Sequence, residues 1–238
     1  MRLVLFILMA GLAMSEQVTK VVDIHYSDRD RLANLVQSKS VNIKFDPQAK
    51  FVVLQGEKAE VEAIEEILKK IDLPPLNMEF TFELISGSKS AGKTTELPAA
   101  LGGVAKEMKS LFGFQNVTLM DTMTIRMQDG KDSSANGALP SLLTADPNSP
   151  KAIYTINIRQ AGSNGTKGNR LVRIGDLRFN AKIPFTSSFG GNTQYQFNEM
   201  GIQTGLDVKE GQRVVVGKVG MDSGSNPFFL VVSCKVVE

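Results

Sequence analysis

Tryptophan is absent from the 238 residues, and cysteine and histidine occur once each. The single Cys234 excludes an intramolecular disulfide framework. The single His25 excludes a histidine-rich metal centre, and without tryptophan there is no Trp-lined ligand cage. Charge of one sign is scarce as well: 27 Lys and Arg stand against 25 Asp and Glu, a net of +2. That balance supplies no basic field for a nucleic-acid backbone. Beyond residue 15 no apolar run approaches the about 20 residues of a membrane-spanning helix, so no transmembrane helix is expected in the mature chain.

What is present begins with a short leader. Arg2 precedes the apolar run Leu3 to Met9, and the small residues Ala10, Gly11 and Ala13 follow, then the polar Ser15-Glu16-Gln17. Positive charge, apolar core and small residues in that order predict a secretory signal over residues 1–15, cut before Glu16. The mature chain is therefore expected outside the cytoplasm. An apolar content of 42% is enough for a globular core, and 21 glycines favour many turns.

Residues 16–75 predict a small module. Val22, Ile24 and Tyr26 alternate with Asp23 and His25 as a first strand. Ser27 offers a helix cap, and Leu32, Leu35 and Val36 line one helical face. Val41, Ile43 and Phe45 form a second strand, Asp46-Pro47 turns the chain, and Phe51 to Leu54 form a third. Val61, Ile64, Leu68 and Ile71 then make a helical stripe, with Glu62, Glu65 and Glu66 on the solvated side, stopped by Pro74 and Pro75. The order is β-α-β-β-α, a KH-like arrangement. The third strand has apolar residues on both faces. Val52 and Leu54 are its candidate interface, because one apolar set must find cover outside the helices.

Gly56, Val61, Ile64, Ile67, Leu68, Ile71, Asp72, Pro74 and Pro75 stand in a pattern that resembles the periplasmic N-domains of secretins. Those are the ring-forming outer-membrane subunits of type II and type III secretion systems and type IV pili. The resemblance implies protein partners in the cell envelope, self-association into a homo-oligomer, and no catalysis. A KH module would instead clamp RNA with a Gly-x-x-Gly loop, which residues 16–75 lack.

Residues 76–238 predict a mainly antiparallel β domain, making the whole chain α+β. Met78, Phe80, Phe82 and Leu84 alternate as a strand; a helix is expected over about 98–112 and a loop over about 131–150. Strand patterns then recur at Ile153–Ile158, Leu171–Phe179, Gln194–Val208, Arg213–Gly217 and Pro227–Val237. The segment Gly205 to Lys218 resembles part of the secretin barrel domain, except that Lys218 stands where the family has glycine. No paired amphipathic strands for membrane insertion are evident, so the resemblance implies a reduced, soluble relative.

One motif points to chemistry. Residues 87–94 formally match the P-loop pattern G-x-x-x-x-G-K-[ST], in which Lys93 would reach phosphates and Thr94 would hold magnesium. The alternating strand before it and the helix start delayed to Pro98 argue for an ordinary loop. Cys234 falls on an apolar strand face as a structural thiol, and His25 on the polar side of its strand. The sequence therefore predicts no catalytic residue, cofactor or metal. A P-loop enzyme and a soluble ligand-binding β module are the alternatives.

Overall fold

The computed structural model describes residues 16–27, 32, 36, 40–46, 50–90, 97–139, 150–189, 192–220 and 226–237. The leader, Asp30, Leu35, Lys93 and Thr94 lie outside the described residues. The chain divides into two compact units, Met1–Pro75 and Leu76–Glu238.

In the first unit β1 (Gln17–Asp23), β2 (Asn42–Phe45) and β3 (Phe51–Glu57) form an antiparallel sheet with β3 at its centre. Helix α1 (Lys58–Ile71) leaves β3 without a loop and lays Val61, Ile64 and Leu68 against the sheet. Their three- and four-residue spacing puts them on one stripe, and Lys69 and Lys70 suit the negative end of the helix. The expected first helix falls mostly outside the described residues. Leu32 and Val36 are buried there, and the Val36 amide donates to the Leu32 carbonyl at 2.9 Å, one helical turn. The KH-like order is thus not established at that element.

The second unit holds two four-stranded antiparallel sheets. One contains β4 (Asn77–Ser88), β5 (Asn116–Gln128), β10 (Arg213–Val219) and β11 (Phe228–Val237), in the order β10-β11-β4-β5. The other contains β6 (Ser133–Ala138), β7 (Ile153–Asn164), β8 (Leu171–Phe189) and β9 (Asn192–Lys209), in the order β6-β7-β8-β9. Phe80, Phe82, Leu230 and Val232 of the first meet Ile156, Ile158, Ile174 and Phe179 of the second in one core. The Tyr154 phenol crosses from β7 to Asp121 on β5 and donates at 2.5 Å. Burial first, then that carboxylate, pushes the phenol well above its ordinary value.

A second core lies on the other side of the first sheet. A short 3-10 turn (Ala99–Leu101) and α2 (Gly102–Phe112) place Leu101, Ala105 and Met108 over Ile85, Val117, Phe229 and Val231. The first half of β11, Phe228–Val232, is therefore covered on both faces and reads as a continuous apolar run, whereas alternation returns at Ser233 and Lys235. Helix α2 falls within the expected span, and Gly113 ends it in the left-handed region at φ 68°. Leu111, in its last turn, is 68% exposed.

Two expectations are corrected. The span 131–150 is not all loop, because Ser133–Ala138 pairs with β7; an alternation of Ser, Asn, Gly and Ala carries no hydrophobic signal. Strands β8 and β9 also run further than their apolar patterns. The pairing of β7 with β8 stops at Ile153 opposite Lys182, while that of β8 with β9 continues to Phe189 opposite Asn192. Among the described residues, 183–189 and 192–198 thus pair only with each other, a ribbon extending roughly 20 Å beyond the sheet at about 3.4 Å per residue.

Candidate functional site

Val52 and Leu54, the candidate interface, point inward: they are 2% and 0% exposed and pack with Val61, Ile64 and Leu68. The strand alternates as expected, but the helix covers this set. The outward set is Phe51, Val53 and, on the neighbouring strand, Val21, which lies opposite Val53. Val21 is 59% exposed and Phe51 37%. The apolar face needing a partner is therefore Val21, Phe51 and Val53.

Asp72 gives the end of α1 a definite task. Its carboxylate accepts the backbone amides of His25 (2.7 Å), Tyr26 (2.9 Å) and Ser27 (2.8 Å), and the Ser27 hydroxyl donates to the Ile71 carbonyl at 3.1 Å. The clamp ties the helix exit to the chain leaving β1, and Pro74 and Pro75 then prevent further helix. Burial pushes the carboxyl up, but the three amides together outweigh it and hold the group below the ordinary 3.8. The clamp's stabilisation is therefore complete above pH 3.8 and is lost as the pH falls through the lower native value. Asp72→Asn is expected to cost roughly 1–2 kcal/mol at neutral pH. In urea melts of the full chain, its gap from the wild type should narrow as the pH is taken below 3.8.

A groove of about 400 Å³ lies along the free edge of β1, lined by Val21, Asp23, His25, Glu65, Lys69 and Asp72 among others. Glu65, expected on a solvated acidic face, is bound by Lys20 and Lys69. The Lys20 bond, then that of Lys69, lowers its carboxyl below the usual range. His25 keeps a 67% exposed side chain, 3.7 Å from Asp72. Cys234 is 2% exposed, and burial, with the Glu210 carboxylate adding, pushes its thiol up to about 12. A thiol held there is protonated at neutral pH and is a poor nucleophile. Among the described residues no three His, Cys, Asp or Glu side chains gather to hold a metal.

The P-loop pattern fails at its first residue. Gly87 lies inside β4, which is antiparallel to both neighbours. Its amide, which would have to face a phosphate, donates to the Pro227 carbonyl at 3.2 Å. A phosphate cradle instead leaves a buried parallel strand with its amides free.

Among the described residues the second unit presents four strand edges, β10 and β5 on one sheet and β6 and β9 on the other. The first residues of β9, 192–198, form its half of the ribbon. Residues 183–198 contain no Asp, Glu, Lys, Arg or His, and a Lys182–Glu199 pair at 2.7 Å stands at the base. Phe185, Tyr195 and Phe197 are 46%, 39% and 48% exposed. This uncharged stretch was the available signal for the ribbon. It was obscured by the Thr, Ser, Gln and Asn that interrupt the aromatic residues. Among the described residues no helix is long and apolar enough to cross a membrane, which says nothing about strands.

No protein-family profile matches the sequence, and no curated protein does. Solved structures do resemble it. The type IV competence pilus secretin PilQ of V. cholerae aligns with a TM-score of 0.55 at 12% identity, over 94% of this chain and 78% of that one. The type II secretion system secretin XcpQ of Pseudomonas aeruginosa gives 0.52 at 13%, over 92% and 75%. The secretin-domain β-barrel of InvG from the Salmonella injectisome gives 0.53 at 12%, over 94% and 89%. At such identities the likeness concerns architecture, and over most of its length this chain has a secretin-like fold.

Proposed function

We propose that the chain is a non-catalytic envelope subunit that assembles with copies of itself into the barrel of a secretion or pilus complex, after export and removal of residues 1–15. The observation that carries this is the β8–β9 ribbon. It is free of charge from Ile183 to Asn198, exposes three aromatic side chains and ends in an ion pair. A membrane-crossing strand needs about 9–11 residues, with an apolar band about 25 Å tall and aromatic girdles, and the ribbon approaches that size. Open edges at β5, β6, β9 and β10 cannot stay unpaired in lipid, so insertion requires neighbouring copies to close the sheets. The fold shared with PilQ, XcpQ and InvG supports the same reading. The first unit would then stack beside its neighbours through Val21, Phe51 and Val53. Neither alternative finds support: Gly87 is spent inside a sheet, and the groove of the first unit, where Val21, Val22 and Leu68 meet Asp23, Glu65, Lys69 and Asp72, is not a mainly apolar ligand pocket.

The test is fractionation and sizing of the full chain made with its leader in a Gram-negative host. The wild type is expected in the outer-membrane fraction as a large, detergent-stable assembly. Phe185→Asp with Phe197→Asp is expected to leave the fold intact and move the chain to the soluble fraction. A wild type that stays monomeric in detergent and never sediments with membranes overturns the reading.

A further inference from the structure

Strand β1 ends the three-stranded sheet of the first unit, and among the described residues its second edge pairs with nothing. The ladder fixes which backbone groups that edge presents. The Ile24 amide donates to the Lys50 carbonyl at 2.8 Å, and the Lys58 amide to the Glu16 carbonyl at 3.0 Å. In an antiparallel pair every second residue exchanges both its bonds with the residue opposite. Val18, Lys20, Val22 and Ile24 therefore turn their amides and carbonyls to β3, and Thr19, Val21 and Asp23 turn theirs to the open side. An exposed edge is ordinarily blunted by proline, a bulge or a lysine. Here β1 has no proline, and its register with β3 runs unbroken from Gln17 to Asp23. Lys20, which could repel a second strand, is bound to Glu65 on α1.

The groove of about 400 Å³ runs along this same edge, and its lining says what an added strand would meet. On the helix side Val22 and Leu68 form an apolar floor, and Glu65 and Lys69 are already paired with each other at 2.7 Å. On the other face Val21 is 59% exposed. Asp23 is exposed too, and it forms no ion pair among the described residues. Side chains directly opposite in a ladder interact, and opposite charges or β-branched apolar pairs are favourable combinations. We infer that the open edge of β1 takes up an extended segment of another protein as a fourth strand, antiparallel to β1, with a basic residue opposite Asp23 and a β-branched apolar residue opposite Val21. Backbone bonds to Val21 and Asp23 supply the grip, and the alternate side chains supply the selection. The site lies within one copy of the chain, so the inference goes beyond the assembly reading and does not rest on it.

The probe is a dye-labelled peptide, Arg-Val-Ile-Thr-Thr, titrated into the purified full chain and followed by fluorescence anisotropy. Its Arg is placed opposite Asp23 and its Ile opposite Val21. One control carries Asp in place of Arg, and another is N-methylated at Ile, which removes a ladder bond and keeps the side chains. The Arg peptide is expected to bind about threefold or more tighter than the Asp peptide, and the N-methylated one not at all. Amide exchange should slow at Val21 and Asp23 when the Arg peptide is bound. Asp23→Lys should reverse the order of the two charged peptides. Val21→Pro removes an amide that only the added strand uses, and proline is tolerated on such an edge. It should abolish binding while residues 51–57 keep their protection. No peptide binding at millimolar concentration overturns the inference, as does binding indifferent to N-methylation or an order that Asp23→Lys leaves unchanged. Val21 and Asp23 amides protected without peptide would mean an edge already covered, by a second copy if dilution releases them and by the chain itself if it does not. Either result overturns the inference as well.

Discussion

Leu54→Lys is expected to unfold the first unit within an otherwise folded chain, whereas Val21→Lys should leave it intact. Leu54 is 0% exposed at the centre of β3, and its loss removes about 2–3 kcal/mol of burial. The incoming ammonium does more damage than the lost side chain. Lys20, opposite Leu54 in the ladder, shows how this sheet accommodates a lysine: it lies on the edge strand and reaches Glu65 on α1. A lysine at position 54 starts from the middle strand, beneath Val61 and Leu68, and burying an unpaired charge costs several kcal/mol more. A unit of this size has little stability to spare. Amide exchange in the full chain reads the outcome: residues 51–71 should lose protection in Leu54→Lys while residues 77–88 and 228–237 keep it. Val21→Lys sits on the opposite face and should retain all of it. Protection preserved in Leu54→Lys would mean that the helix does not cover this side of β3.

The same strand shows what the sequence can and cannot say. An alternation of two apolar sets in Phe51 to Leu54 makes a strand legible. It does not say which set meets the helix, because Val52 with Leu54 and Phe51 with Val53 are chemically equivalent choices. The answer lies in Gly56. A Cβ there would come within 2.9 Å of the Ser40 carbonyl oxygen, and Gly56 shares a face with Val52 and Leu54, so the chain closes over that side. Helix α1 was legible because its stripe, its basic last turn and its two prolines agree. The Asp72 clamp was visible only as part of a motif, since its three partners are backbone amides some 45 residues earlier. The ribbon was missed because strand periodicity is a signal of a buried face, and a two-stranded arm beyond the sheet has none to show.

Gly87→Ala is expected to destabilise the second unit, and its cause separates the two readings of residues 87–94. If this glycine began a phosphate loop, alanine would impair nucleotide binding and leave the sheet unharmed. In the structure Gly87 is a ladder residue of β4 opposite Val117, and the Phe114 ring lies flat over it. An added Cβ would fall 2.6 Å from two ring carbons. Both sides are constrained: β4 is hydrogen-bonded on two edges, and Phe114 packs against Phe112 and Phe229 with centroids at 5.7 and 5.6 Å. Overpacking of that kind costs about 1–3 kcal/mol. Expelling the ring would also expose Phe229 and loosen α2. The diagnostic is a double-mutant cycle. Phe114→Ala alone should cost about 3–5 kcal/mol through the cavity it leaves. Adding Gly87→Ala to it should then cost almost nothing, because the new methyl enters space the ring has vacated. Urea melts of the full chain supply the four stabilities, and a coupling well above the roughly 0.5 kcal/mol limit of additivity is expected. Additive costs would show that the ring does not rest on Gly87. ATP binding that Gly87→Ala abolishes without changing the melt would return the loop to the phosphate reading.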